Sequence, residues 1–203
     1  MATSAPASTL EIRRLDAVGA AQLQALADVL IDCVEGGASV SFMLPMTREK
    51  SLAFWRKVAD GVVRGERVLL VAEDAQGIVG TVQVILGQPE NQPHRADVAK
   101  MLVHRRARRQ GAGAALMRAA EGAARRAGKT LLVLDTGDAT AARLYERLGW
   151  QAVGAIPRYA LMPDGGDCAT FLRANRKFCG IPVHQMTRAT SDYQVPERPP
   201  KRK

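Results

Sequence analysis

The residues from Val98 to Val103 form an apolar stretch. It runs into His104-Arg105-Arg106-Ala107-Arg108-Arg109-Gln110-Gly111-Ala112-Gly113 and then into an alanine-rich segment. Strand, basic turn, Arg-x-x-Gly-x-Gly and helix, in that order, build a loop of free backbone N–H groups at a helix N-terminus. The orphan amides of a first turn and the positive end of the macrodipole point the same way, so the segment suits an anion. Gly111 and Gly113 let that anion approach the main chain with no Cβ in the way. Arg105, Arg106, Arg108 and Arg109 raise the local positive potential. The chemistry is phosphate binding. A Walker loop is excluded, because Ala114-Ala115 stand where it needs Lys-Ser/Thr. The dinucleotide fingerprint, with three spaced glycines and a later acidic residue, does not match either.

The elements that must position this loop lie on both sides of it. Residues 10–15 have strand character. Residues 20–33 carry apolar positions at helical spacing, and Gly36-Gly37 stop that helix. Thr47 is placed to cap a second helix bearing Leu52, Trp55, Val58 and Val62. Residues 67–73 and 78–86, split by Asp74-Ala75-Gln76-Gly77, give a hairpin signal. A strand follows from about Arg95 to Val103. Beyond the glycines, Leu116, Met117, Ala120, Ala123 and Ala124 make one helical stripe. Residues 130–135 are nearly continuously apolar, as expected for a strand buried on both faces. A turn, a short helix and a final strand pair complete the chain. The order predicts an α/β fold, a mixed sheet with helices on both faces. In the short helix Ala141, Leu144, Tyr145 and Leu148 fall on one inward face. Asp138 can cap its start, and Gly149 suits the left-handed position after its end.

Composition narrows the function. At 203 residues the chain suits one domain. No apolar run approaches the roughly 18 to 20 residues of a membrane span, and the opening residues do not resemble a signal peptide. Cys33, Cys168 and Cys179 are odd in number and scattered. They predict neither a disulfide framework nor a zinc site, and a reducing cytoplasm. The net charge of +9 invites a nucleic-acid partner. Yet the charge gathers at the basic turn and at residues 198–203, and aromatic content of 4% is thin for base stacking. An anionic ligand and a solvated tail account for it, and no nucleic-acid partner is expected. The predicted organisation is a flexible leader over residues 1–8, one domain over 9–178 and a disordered basic, Pro-rich tail over 179–203.

Arg108-x-x-Gly111-x-Gly113 after a strand, followed by Leu144-Tyr145 and Gly149-Trp150, resembles the GNAT family of acetyl-CoA-dependent N-acetyltransferases. The segments Glu35-Gly36-Gly37-Ala38-Ser39-Val40, Lys100-Met101-Leu102-Val103, Leu134-Asp135-Thr136 and Pro163-Asp164-Gly165 are similar to its tabtoxin-resistance subgroup. The resemblance spans about residues 10–173. It implies a mostly antiparallel twisted sheet with a central parallel strand pair. It implies that Arg108 and the amides of Arg109, Gln110, Gly111, Ala112, Gly113 and Ala114 hold the CoA pyrophosphate. The backbone of Met101, Leu102 and Val103 would pair with the pantetheine arm. Tyr145 would face the sulfur and donate to it as it leaves.

In that subgroup the positions of Asp97, Asp135 and Tyr145 are the acid–base and thiol-facing groups. Asp97 lies six residues before Val103, roughly 20 Å back along the strand. It reads as a base, as a contact to the substrate ammonium, or as a surface charge at the strand start. Asp135 ends the neighbouring strand, where ligands of α/β sheets gather, and reads as a loop cap or a substrate contact. His94 and His104 read as surface residues. Three positions depart from the family pattern: Asp97 stands for Glu, Asp138 for Asn, and the last strand keeps only Thr170. The expectation is a cytoplasmic enzyme without a metal or membrane partner. It would move the acetyl group of acetyl-CoA directly to a small amine, an amino-acid-like toxin or antibiotic, and the subgroup suggests a homodimer. Two readings stay open beside it: acetylation of a protein N-terminus or lysine, and a non-catalytic acyl-CoA-binding module.

Overall fold

The computed structural model describes residues 10–175. The predicted leader and tail, with Cys179, lie outside the described residues. The elements run β1 (Glu11–Leu15), α1 (Ala20–Glu35), α2 (Arg48–Val63), β2 (Arg67–Asp74), β3 (Gly77–Ile85) and β4 (Arg95–Val103). A 3-10 turn (Arg105–Ala107) leads to α3 (Ala112–Arg126), β5 (Leu131–Thr136), α4 (Ala139–Arg147), β6 (Gln151–Leu161) and β7 (Asp167–Asn175). Thr47 caps α2 as its type and place predict, its hydroxyl accepting from the Lys50 N–H at 3.2 Å.

One sheet holds all seven strands in the order β1-β2-β3-β4-β5-β7-β6. Every pairing is antiparallel except the central β4–β5 pair. This is the expected mixed sheet with one parallel pair. α1 and α2 bury Leu26, Leu30, Trp55 and Val58 against Leu15, Leu69 and Val71. On the opposite face α3 buries Leu116, Met117 and Ala120 against Val68, Leu70, Val82 and Val98. β2 therefore feeds both cores by simple alternation, as a strand covered on each side must.

β5 departs from expectation. Only Leu132 and Leu134 are buried, while Leu131 and Val133 are half-buried and Asp135 is exposed. The cause is coverage. α1 and α2 lie over the β2–β4 part of the sheet, so that face of β5 has no helix above it.

β4 is bent by a bulge. Gln83 pairs with Ala99 and Thr81 with Leu102, so Lys100 and Met101 together oppose Val82. β4 and β5 pair only over residues 95–97 and 131–133. Beyond Asp97 the two strands part, although β4 stays bonded to β3 as far as Val103. The sheet opens into a V. Among the described residues no helix is long and apolar enough to cross a membrane.

Candidate active site

The opening between the strands is a cavity of about 980 Å³. One wall is β4 from Val98 to Val103, and the other is β5 from Leu134 to Thr136 with Gly137 and Asp138. At one end lies the loop from Arg108 to Ala114. At the other lie the α1–α2 connection, through Ser41, Phe42 and Met43, and the end of β6 at Tyr159 and Leu161.

The loop has the predicted form. Gly111 is the residue before α3 and adopts φ 86°, and a Cβ at this position would meet nothing within 4 Å. Its glycine serves the left-handed backbone. At Gly113 a Cβ would meet Leu144 Cδ2 at 3.1 Å and Met101 Sδ at 3.8 Å, so its missing side chain leaves room for α4. The N–H groups from Arg109 to Ala114 donate to no acceptor in hydrogen-bonding geometry among the described residues.

The arginines divide. Arg105 is bound to Asp32, by its N–H to Oδ2 and its Nε to Oδ1, each at 2.8 Å. Arg106 pairs with Asp74. Neither lines the cavity. Only Arg108 and Arg109 of the four raise the potential there, because carboxylates from α1 and the β2–β3 hairpin engage the other two. Arg108 Nε donates to the Val103 carbonyl at 3.1 Å, which the Cys33 thiol also approaches at 3.6 Å.

Tyr145 and Asp135 both line the cavity. Tyr145 is the one buried side chain of α4. Burial pushes its phenol well above the ordinary tyrosine value, and the charges of Asp138 and Asp135 push the same way against Arg173. Asp135 accepts from the buried Thr170 hydroxyl at 3.1 Å. Thr170, the one family position kept in the last strand, is thus an orienting partner for Asp135. Asp138 caps α4, its Oδ1 accepting from the Thr140 N–H at 2.7 Å.

Asp97 is not brought to this group. Its carboxylate is held by Arg95 and by Gln88 Nε2, the latter at 3.0 Å, and it does not line the cavity. His104 accepts from the Arg106 N–H and lies 3.6 Å from Asp32, outside the cavity as well.

Sequence reasoning missed Lys100 as a site residue. Its backbone sits at φ 51° on the bulge, and its Nζ donates to Ser41 Oγ at 3.1 Å inside the cavity. A lysine in a strand carries no mark of its own; the register slip opposite Val82 is what aims it. Among the described residues no group of His, Cys, Asp and Glu side chains is arranged to hold a metal ion.

Residues 65–152 match the acetyltransferase (GNAT) domain family. The structure is similar to a ribosomal-protein-alanine N-acetyltransferase from Brucella melitensis, with a TM-score of 0.70 and 21% identity over 82% of this chain and 99% of that one. It is similar to a Salmonella typhimurium protein assigned as an acetyltransferase and solved with its cofactor acetyl-CoA, with a TM-score of 0.68 and 18% identity over 82% and 93% of the two chains. A protein assigned as a phosphinothricin N-acetyltransferase matches with a TM-score of 0.67 and 20% identity over 83% and 98%. The chain has the fold of the GNAT acetyltransferases, and its central segment carries the match to their domain.

Proposed function

We propose that this protein moves the acetyl group of acetyl-CoA to the amine of a small molecule by direct transfer in a ternary complex. One observation carries the reading: a single cavity joins the unengaged N–H loop, the strand edge that β5 leaves free, and the pair Tyr145 and Asp135. The N–H groups of residues 109–114, with Arg108 and Arg109, suit a diphosphate. The free edge of β4 over Met101, Leu102 and Val103 suits an extended, amide-bearing arm.

In the reaction the acceptor nitrogen forms a bond to the thioester carbonyl carbon and the C–S bond breaks. The amine gives up one proton, for which Asp135 or a water beside it is the acceptor. Tyr145, kept protonated by its raised pKa, donates a hydrogen bond to the sulfur as negative charge grows there. The sulfur finally gains one proton for the one the amine lost. Asp97, bound by Arg95 and Gln88, is assigned to the base of the V rather than to proton transfer.

A tie across the acceptor end favours a small acceptor over a peptide. Ser39 Oγ donates to the Leu161 carbonyl at 3.1 Å and the Leu44 N–H to the Pro163 carbonyl at 3.0 Å, tying the α1–α2 connection to the β6–β7 hairpin. Among the similar structures one is named for a ribosomal protein's alanine and another for phosphinothricin. This tie and the tabtoxin-resistance resemblance support an amino-acid-like toxin as the acceptor, and the free, buried Cys33 and Cys168 suit a reducing cytoplasm.

The test is release of free thiol from acetyl-CoA with a panel of amines, alongside calorimetric binding of CoA. Tyr145→Phe is expected to lower kcat at least about 100-fold, the usual scale for losing a positioned acid, with CoA affinity little changed. Absence of CoA binding, or of thiol release with every amine, overturns the proposal, and full turnover by Tyr145→Phe overturns the role given to that phenol.

A further inference from the structure

We infer that Lys100 binds an anionic group carried by the acceptor, so that the acceptor is an amine bearing a carboxylate or similar oxyanion a few bonds from its nitrogen. The inference rests on the acetyltransferase reading above and adds the residue that recognises the acceptor's acid group.

Backbone strain marks the place. Among the described residues four non-glycine positions have positive φ: Ser41, Lys100, Arg109 and Arg158. Three of them, Ser41 (74°), Lys100 (51°) and Arg109 (62°), line the cavity described above. A left-handed backbone costs an ordinary residue about 1–2 kcal/mol, and such strain gathers where a side chain must be aimed. Arg109 belongs to the phosphate loop. Ser41 and Lys100 are hydrogen-bonded to each other, Nζ to Oγ at 3.1 Å, from two elements far apart in the chain.

Position sets Lys100 on the acceptor side. It precedes Val103 by three residues, roughly 10 Å of strand, on the side away from the phosphate loop. Around it stand Ser41 and Phe42 of the α1–α2 connection, and its Nζ lies 6.0 Å from the centroid of the Phe54 ring. None of these is anionic.

The ammonium is underused. Three N–H donors face one hydroxyl, and no carboxylate lies within 4.0 Å of Nζ among the described residues. A partly desolvated cation with so few partners is costly. Burial accordingly holds its pKa below the ordinary lysine value, with Asp135 opposing from a distance. An oxyanion on the acceptor supplies the missing partner. Asp135 lines the same cavity and supplies the opposite charge for the amine. The acceptor end is therefore dipolar, and a zwitterion of the amino-acid kind matches it at both ends.

The experiment uses the full chain saturated with acetyl-CoA. The probes are L-amino acids, each beside its carboxamide and its decarboxylated amine, with spermidine as a cationic control. Expected is turnover of carboxylate-bearing amines, with kcat/KM lower by about 10- to 100-fold for the carboxamide, the scale of a hydrogen bond to a charged group. Lys100→Met should abolish that discrimination by losing activity on the acid alone, and Lys100→Arg should restore part of it. Thermal unfolding and CoA affinity are followed in both variants, so that loss of fold is not read as loss of recognition. Equal activity on acid and carboxamide overturns the inference, as does preference for spermidine or an equal loss on both probes in Lys100→Met. CoA binding without turnover of any carboxylate-bearing amine also overturns it, and leaves the cofactor reading standing. Failure of CoA to bind removes the acetyltransferase reading itself.

Discussion

The two halves of the sheet are built to different rules. β1 to β4 lie between α1 and α2 on one face and α3 on the other, and β2 is buried along most of its length. β6, at the opposite edge, is exposed along nearly all of its eleven residues, with Val153 52%, Ile156 41% and Tyr159 55% accessible. α4 has nine residues and a single buried side chain. The glycine loop springs from the thick half, while Asp135 and the β6 side of the acceptor end come from the thin one. The diphosphate site proposed above needs N–H groups held in one arrangement, which close packing provides. A wall covered on one side only is free to differ between chains without disturbing that arrangement.

Substitutions can break this comparison. Leu116 on α3 is fully buried and packs beneath Gly80 of β3, where a Cβ would lie 3.1 Å from Leu116 Cδ1. Leu116→Ala should destabilise the protein by about 2–5 kcal/mol. Ile156→Ala on β6 should change stability by less than about 0.5 kcal/mol. Urea unfolding of the pair is the measurement. Comparable losses would mean that β6 is as tightly integrated as α3, and the distinction between the halves would fall.

A second substitution tests where the halves meet. Gly113 admits Leu144 of α4, so Gly113→Val drives a branched side chain into that contact and displaces the helix carrying Tyr145. A loss of about 1–3 kcal/mol is expected from overpacking. The fall in turnover should exceed the fall in CoA affinity, because the N–H loop belongs to the other half. A loss confined to CoA affinity would return Gly113 to the role its motif suggests.

That motif also shows what the sequence could reveal. Helices α1, α2 and α3, the hairpin and the glycine loop before α3 were legible because their signals are local: apolar periodicity, a capping threonine, a glycine needing positive φ. Thr170 and Asp138 were legible as isolated family positions. Most of what failed was set by partners distant in the chain, and Asp97 by two nearer ones. Asp32 takes Arg105 from 73 residues away and Asp74 takes Arg106. Asp97 lies on the expected strand, yet Arg95 and Gln88 engage its carboxylate. The exposed face of β5 follows from where α1 and α2 end, which no strand pattern encodes. Lys100 is aimed by a bulge, and a bulge is a property of two strands in register rather than of either one.

The smallest expected effect concerns the tie between the phosphate loop and the thick half. Asp32 of α1 accepts from Arg105 through both carboxylate oxygens, with His104 Nε2 3.6 Å away. Burial alone would raise its pKa, but the Arg105 hydrogen bonds and the neighbouring charges outweigh it, and the value falls below the ordinary 3.8. A carboxylate with a depressed pKa in the folded state contributes fully above the unfolded value and loses that contribution as pH falls through the folded one. Asp32→Asn should therefore cost about 1 kcal/mol near neutral pH. The gap to the parent should close only as pH drops below about 3.8. CoA affinity should weaken a few-fold, since the entry to the loop loses its anchor. Stability curves that stay parallel well below that pH would show that Asp32 does not hold the loop to α1, and the loop's order would then have to come from α3 alone.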